Sequence, residues 1–383
     1  MNHDGIHSMV PSGQMSEAAR RTRDFYERKP NAPILQQEFG FYSLDLWKSQ
    51  GHIADGANLS DLFGFEESGV HSLGGLGWCE AAFDPIFEEM VIEDRGEYEV
   101  AQDFAGRHVL FFKGRRNGFM PEYLSHPVKD RKTWEENVKW RMDPNTAQRW
   151  EGLEGRMAAA RAAAAQGKVI QQQVVGGYMY LRSLIGPVDL LYMFYDQPQL
   201  IHDCMQTWLT LAQAVVTRHQ QYVTIDELYI GEDICYNHGP LISPEMIREF
   251  LFPYYEQLLS GIRSRQIDHN RHLYFQVDTD GFADPVIPLY QSIGMDYMSP
   301  FEVASGSDVV RTGAQYPQLL LRGGIDKRIL AGGRDAIDRE IERIMPAMRR
   351  RGGYIPTCDH GVPEEVPFED YLYFRSRMKE YAK

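Results

Sequence analysis

A single (β/α)8 barrel with a small antiparallel β insertion near its N-terminus is the fold this sequence predicts, on three observations. From residue 169 onward, short β-branched or aromatic segments alternate with helical stretches at a steady cadence, the pattern of a parallel sheet with helical crossovers. With one earlier strand the repeats approach eight, and no Gly-x-Gly-x-x-Gly follows a strand to favour an open doubly wound sheet. Near the end of the chain, Arg322-Gly323-Gly324-Ile325-Asp326-Lys327-Arg328 and Gly352-Gly353-Tyr354-Ile355-Pro356-Thr357-Cys358-Asp359-His360-Gly361-Val362-Pro363 both run from apolar residues into Gly, Asp, Cys or His. Barrel strands read this way where they deliver side chains to an active-site mouth.

Residues 1–15 are polar and read as disordered, and residues 16–383 as one domain. Ser16-Glu17-Ala18-Ala19-Arg20 opens a helix that runs to about Lys29, and the apolar stretch over 34–42 after Asn31-Ala32-Pro33 reads as the first strand. Over 69–118, short aromatic and β-branched segments between turn residues predict the inserted meander. Helices are expected over 133–139 and 147–166, the second ending in an alanine-rich run of high helix propensity. Strands then follow at 169–175, 227–230, 272–277, 297–298, 319–321 and 353–355. Helices are expected between and after them at 190–222, 244–265, 285–293, 307–316, 334–351 and 368–381.

With 383 residues, 43% of them hydrophobic, the chain can bury a large core. A net charge of −14 disfavours nucleic acid, because phosphate binding needs a basic face. Arg20-Arg21 and Arg349-Arg350-Arg351 read as solvated helix ends. The sequence has neither a long apolar run nor the pattern of a secretory signal, so a cytoplasmic protein with no membrane partner is expected. The four cysteines, Cys79, Cys204, Cys235 and Cys358, lack paired spacing and read as reduced thiols, with Cys79 and Cys204 packing residues.

Residues just past the C-terminal ends of barrel strands line one shared mouth. Here they are Glu38 with Tyr42, Tyr178 with Tyr180 and Arg182, Glu232 with Asp233, Asp278 with Asp280, Glu302, Asp326 with Arg328, and Cys358 with Asp359 and His360. So much negative charge calls for a metal ion or a basic substrate. Some have plainer readings: Asp326 as a helix cap, His360 as a turn residue. Ser243-Pro244-Glu245 is an N-cap with proline at the first helical position, which leaves Glu232-Asp233 free of that duty.

Roughly the last 210 positions resemble the uroporphyrinogen decarboxylase superfamily, whose members share a (β/α)8 barrel. Arg322-Gly323-Gly324-Ile325-Asp326 is similar to the family's Gly-Asn-Leu-Asp segment, and Tyr354 to Pro363 to its closing strand and Gly-His-Gly turn, with His360 on the histidine. Ser243-Pro244-Glu245 through Phe250-Leu251-Phe252-Pro253-Tyr254 is similar to the helix after its Glu/Asp pair. The decarboxylase proper carries Arg-Gln-Ala-Gly-Arg near its N-terminus, where arginines bind a many-carboxylate substrate. The first forty residues here have no such motif, and Arg115 to Tyr123 bears only a passing likeness to it.

Another branch of that superfamily transfers methyl groups between a corrinoid protein and a thiol or folate, using zinc held by His-x-Cys and a later Cys. Cys358 falls where the later Cys would be, whereas Gln276-Val277-Asp278-Thr279-Asp280 stands where His-x-Cys would be. The resemblance thus implies a methyltransferase with a corrinoid-carrying partner and a small-molecule substrate, a homo-oligomer being compatible with it. Zinc would sit at Cys358, His360 and Asp278 and activate a thiol. Glu232, Asp280 and Asp326 would do acid–base work, and Tyr178, Arg182, Glu38 and Glu302 would contact substrate. The alternatives are a metal-free acid–base site, a decarboxylase of a porphyrinogen-like or other carboxylated substrate, and a non-catalytic barrel that binds a corrinoid partner.

Overall fold

A computed structural model describes residues 15–114 and 121–383. The expected disorder over 1–14, and Arg115 to Met120 of the decarboxylase-like stretch, lie outside the described residues. The strands in chain order are β1 (Val70–Leu73), β2 (Met90–Arg95), β3 (Tyr98–Gln102), β4 (His108–Phe112), β5 (Glu122–Ser125), β6 (Val169–Val175) and β7 (Glu227–Gly231). They continue with β8 (Cys235–Tyr236), β9 (Gly239–Pro240), β10 (Tyr274–Asp278), β11 (Tyr297–Ser299), β12 (Leu320–Arg322) and β13 (Tyr354–Ile355). Seven of them form one parallel sheet in the order β1-β6-β7-β10-β11-β12-β13, while β2 to β5 form an antiparallel meander and β8 and β9 a small hairpin.

Alternation along the parallel strands sends apolar side chains to two cores. Ile170, Leu228, Ile230, Phe275, Val277 and Leu321 pack outward in the large core that the helices share. Val169, Tyr274, Tyr297, Leu320 and Ile355 point the other way and meet Phe25, Tyr26 and Leu35, so the N-terminal helix Glu17–Tyr26 plugs that end of the fold. Above this plug the inner positions are polar, with Gln171 paired to Glu227 and Gln276 to Tyr229 in register. Polar inner positions depart from the layers of branched aliphatic side chains that usually fill such barrels.

Three expectations are corrected. The segment 34–42 forms no strand of the sheet: its single ladder contact is the Phe41–Val362 bridge, and its backbone bonds go to the end of the chain, Ile34 N–H to Tyr381 O at 2.9 Å and Tyr42 N–H to Val362 O at 2.9 Å. The strand beside β6 is instead β1, which the sequence reading placed inside the insertion, so the antiparallel piece covers β2 to β5 rather than 69–118. Among the described residues β1 and β13 do not pair, and the sheet is a curled, barrel-like one without ladder closure.

The helices also break where proline forbids continuation. The stretch expected at 190–222 is Pro187–Asp196 and Pro198–His219, each with proline in its first turn, preceded by an unforeseen helix at Gly177–Ile185. The 244–265 helix divides likewise at Pro253 into Pro244–Phe250 and Phe252–Arg265. The helix expected from Ala147 starts at Leu153, behind Gly152 at a φ of 66°. Among the described residues no helix is long and apolar enough to cross a membrane.

Candidate active site

The C-terminal ends of β6, β7, β10, β11 and β12 and the segments after them bring most of the expected residues to one mouth. Asp278 ends β10, in register with Gly231 of β7 and Ser299 of β11. The Ser299 hydroxyl donates to its carboxylate, Gln276 Nε2 donates to Ser299 Oγ at 2.9 Å, and Tyr229 lies beside it. Burial is the main influence on Asp278 and lifts its pKa from the usual 3.8 to about 6. Its backbone carbonyl accepts the N–H groups of Glu232 at 2.8 Å and Asp233 at 3.3 Å, which locks the β7 and β10 ends together.

Around this carboxylate the charges are paired. Arg182, on the helix opened by Gly177, forms an ion pair with Asp233, a residue at a φ of 42° that glycine would adopt more easily. Lys327 Nζ lies 3.5 Å from Asp359 and 3.9 Å from Glu302. Asp359 is buried and accepts the Val303 N–H at 2.8 Å, while Glu302 accepts the Gly281 N–H at 3.0 Å and so holds the loop that carries Asp280. His360 has Nδ1 2.9 Å from the Tyr42 hydroxyl and Nε2 3.6 Å from Asp280, and its ring stacks on Tyr42 and packs against Phe39. The bond to Asp280 raises the imidazole above its usual pKa.

Other expected residues have duties elsewhere. Asp326 caps the turn Lys327–Gly332 and takes two guanidinium bonds from Arg328, at 2.9 and 2.8 Å, which fits the plainer reading as a cap. Burial pushes its carboxyl up, but the Arg328 bonds outweigh this and hold it below the usual range. Glu232 is fully buried: it accepts the Tyr178 N–H at 3.0 Å and the Tyr255 hydroxyl, and Tyr255 in turn accepts the Gly177 N–H at 2.7 Å. It braces the β6 turn from beneath and does not face the mouth. Tyr178 is likewise buried, with its ring near Arg182 and Asp233.

Zinc does not fit this geometry. Cys358 is buried, its N–H donates to Glu38 at 2.7 Å, and burial together with the Glu38 charge drives its thiol well above the usual range. Glu38 is also held by the Tyr371 hydroxyl at 2.9 Å, so this pair forms a cluster of its own. Cys358, His360 and Asp278 therefore meet three different sets of partners, and among the described residues no three His, Cys, Asp or Glu side chains gather as metal ligands.

Four residues at or beneath the mouth were not foreseen. Ser299 falls just past the strand expected at 297–298. Trp78, stacked on Tyr229 at 5.4 Å, follows β1, which was read as part of the insertion. Tyr255 lies on a core helix and has no sequence signal of its own. Lys327 was visible beside Asp326 in the Gly-Gly motif.

Burial lifts the Glu232 carboxyl from 4.5 to about 7. A raised carboxyl favours folding below its unfolded pKa, and that contribution is lost as pH rises through about 7. Replacing Glu232 with Gln is expected to remove roughly 3 kcal/mol of this pH dependence, at ~1.36 kcal/mol per pKa unit. Denaturant titrations of both proteins at mildly acidic and mildly alkaline pH check it, and parallel pH profiles would refute it.

Comparison with known proteins gives a consistent family picture. Residues 161–381 match the family model described as Uroporphyrinogen decarboxylase (URO-D). A uroporphyrinogen decarboxylase of Thermus thermophilus is 24% identical over 191 residues, 50% of this chain and 51% of the relative. One from Syntrophotalea carbinolica is 28% identical over 136 residues, 35% of this chain and 37% of the relative. The chain thus spans about half, or less, of the curated relatives it matches. A solved methyltransferase from Methanosarcina mazei, 14% identical, shares the fold over 96% of this chain and 99% of its own, with a TM-score of 0.58.

Proposed function

This chain belongs to the uroporphyrinogen decarboxylase family, and on that premise we propose that it is an enzyme that transfers a methyl group to or from a small molecule at the C-terminal mouth of the barrel. One observation carries the reading: Arg182 and Lys327 at the mouth each already face a carboxylate of the protein, and Arg328 beside them is held by Asp326. A porphyrinogen brings several carboxylates, each needing a charge-assisted bond of roughly 1.5–3 kcal/mol, and these cations are not free to make them. The methyltransferase with this fold likeness over its whole length is compatible with the reading, although likeness of fold does not by itself assign chemistry.

Asp278 acts as the base. It takes the proton of the acceptor, the acceptor's lone pair forms the bond to the methyl carbon, and the pair of the broken methyl–donor bond leaves with the donor. A carboxylate with a pKa near 6 is ionised at neutral pH yet better matched to a thiol than an ordinary aspartate. Ser299 holds its orientation. Asp280 and Tyr42 hold His360 at the rim. The methyl carrier in this reading is a corrinoid presented by a partner protein, for which the exposed rings of Phe39, Tyr42, Trp78 and Tyr236 offer an apolar landing surface.

The test supplies the purified protein with methylcobalamin and a panel of small thiols, and separately with uroporphyrinogen. Methyl consumption that depends on Asp278, with no coproporphyrinogen formed, is expected. Coproporphyrinogen at an ordinary enzymatic rate would make decarboxylation the primary activity.

A further inference from the structure

Below the mouth, the polar inner layer of the sheet lines a partly open chamber of about 420 Å³. Its walls include Arg322, Gln276, Glu227, Glu66, Thr22 and Ser72. A chamber of this size suits a small molecule. Its upper wall is one side-chain layer beneath the proposed base: Gln276 precedes Asp278 by two residues on the same face of β10, about 6.6 Å along a strand.

Arg322, the last residue of β12, contributes a permanent positive charge to this interior. Among the described residues no carboxylate comes within 4.0 Å of its guanidinium, although Glu227 and Asp278 act on it from farther away and Tyr297 is a hydrogen-bonding neighbour. Its Nε is buried without a hydrogen-bond partner. Leaving a buried donor such as this Nε–H unpaired is costly, and a carboxylate matches the two-pronged geometry of a guanidinium. Two more chamber atoms share that condition, Thr22 Oγ1 and Glu66 Oε2, and both can accept a hydrogen bond.

Of the acids of the wall, Glu66 is ion-paired with Arg21 through its other oxygen, and two more are engaged elsewhere. Glu227 takes bonds from the Tyr26 hydroxyl and from Gln171 Nε2 at 2.6 Å, and Glu38 is held by Cys358 and Tyr371. Their presence disfavours a dianion such as phosphate and leaves room for one negative charge only.

We propose that the chamber binds a small monocarboxylic acid carrying an N–H or O–H donor, with its carboxylate on Arg322 and its donor toward Thr22 and Glu66, and that this acid is the substrate whose far end reaches Asp278. The inference deepens the methyl-transfer reading and rests on it for the word substrate alone. Binding is measured independently of turnover.

The experiment is calorimetry on the full chain with β-alanine, acetate and inorganic phosphate as probes at millimolar concentration. β-Alanine is expected to bind, acetate more weakly, and phosphate weakest. Arg322→Gln is expected to weaken β-alanine at least about tenfold, near 1.4 kcal/mol. Ser72→Phe, which fills the opposite wall and leaves the arginine in place, should abolish binding and decides the matter if Arg322→Gln does not fold. Glu66→Gln should weaken β-alanine and leave acetate unchanged. Failure of both carboxylates to bind, phosphate binding as tightly as β-alanine, or full binding by Ser72→Phe would each overturn the proposal. Methyl transfer without β-alanine binding would leave the function standing and remove only the substrate class.

Discussion

Gly323→Ala is expected to give largely insoluble protein, or a soluble fraction destabilised by more than about 4 kcal/mol, among the largest effects of any single methyl addition to this chain. A Cβ at this position would stand 1.9 Å from the Pro300 carbonyl oxygen, and the backbone sits at a φ of 102°, where side chains are strained whatever the space. Neither atom can yield, because Gly323 N–H is bonded to Ile355 O at 3.0 Å and Gly324 N–H to Pro300 O itself at 2.9 Å. The control is Gly96→Ala, at a φ of 76° with nothing within 4 Å of the added carbon, which should cost only about 1–2 kcal/mol. Soluble yield and chemical denaturation check the pair. Equal stabilities would mean that the turn after β12 does not lie against Pro300.

Asp278→Asn is expected to lower the rate of methyl transfer by about 10²–10⁴ while leaving the protein as stable as the wild type or more so above neutral pH. The rate falls because an amide cannot accept the acceptor's proton. Stability holds because burial already penalises the charged carboxylate, whose pKa is raised to about 6, so that ionising it weakens folding as pH rises through that value. The same pKa predicts that wild-type kcat/KM falls as pH drops below about 6, and that the variant's residual rate lacks this limb. A rate loss accompanied by an equal loss of stability would reassign Asp278 to the scaffold. An unchanged acid limb would move the base to another residue, with His360 and Asp280 the nearest pair at the rim.

Much of this protein was legible as text. β6 occupies 169–175 as expected, and β7, β10, β11, β12 and β13 fall within a residue or two of their expected places, because each is a short apolar run closed by turn residues, whereas the β8–β9 hairpin was not expected. The mouth was legible for the same reason, since residues just after parallel strands share one end of the sheet whatever their identity. Asp278, Asp280, Arg182, Glu302 and His360 were found that way.

What tertiary structure decided concerns partners. Residues 34–42 and 70–73 are both short apolar segments bounded by turns, and only the docking of the first against Val362 and Tyr381 leaves the second to pair with β6. Cys358 and His360, two positions apart, would point the same way on a strand. Regular pairing stops at Ile355 and returns only as the isolated Ile325–Cys358 bridge, and past that point one side chain lies against Glu38 while the other meets Tyr42 and Asp280. Charge balance was only partly visible in the sequence: Arg182 and Arg328 stand among the residues at strand ends, but Lys327 does not, and only the fold sets it against Asp359 and Glu302. Local pattern determines which residues reach an end of the sheet, because strand period and turn chemistry act over a few residues. Which of them touch is set by contacts between segments hundreds of residues apart, and no local period encodes these.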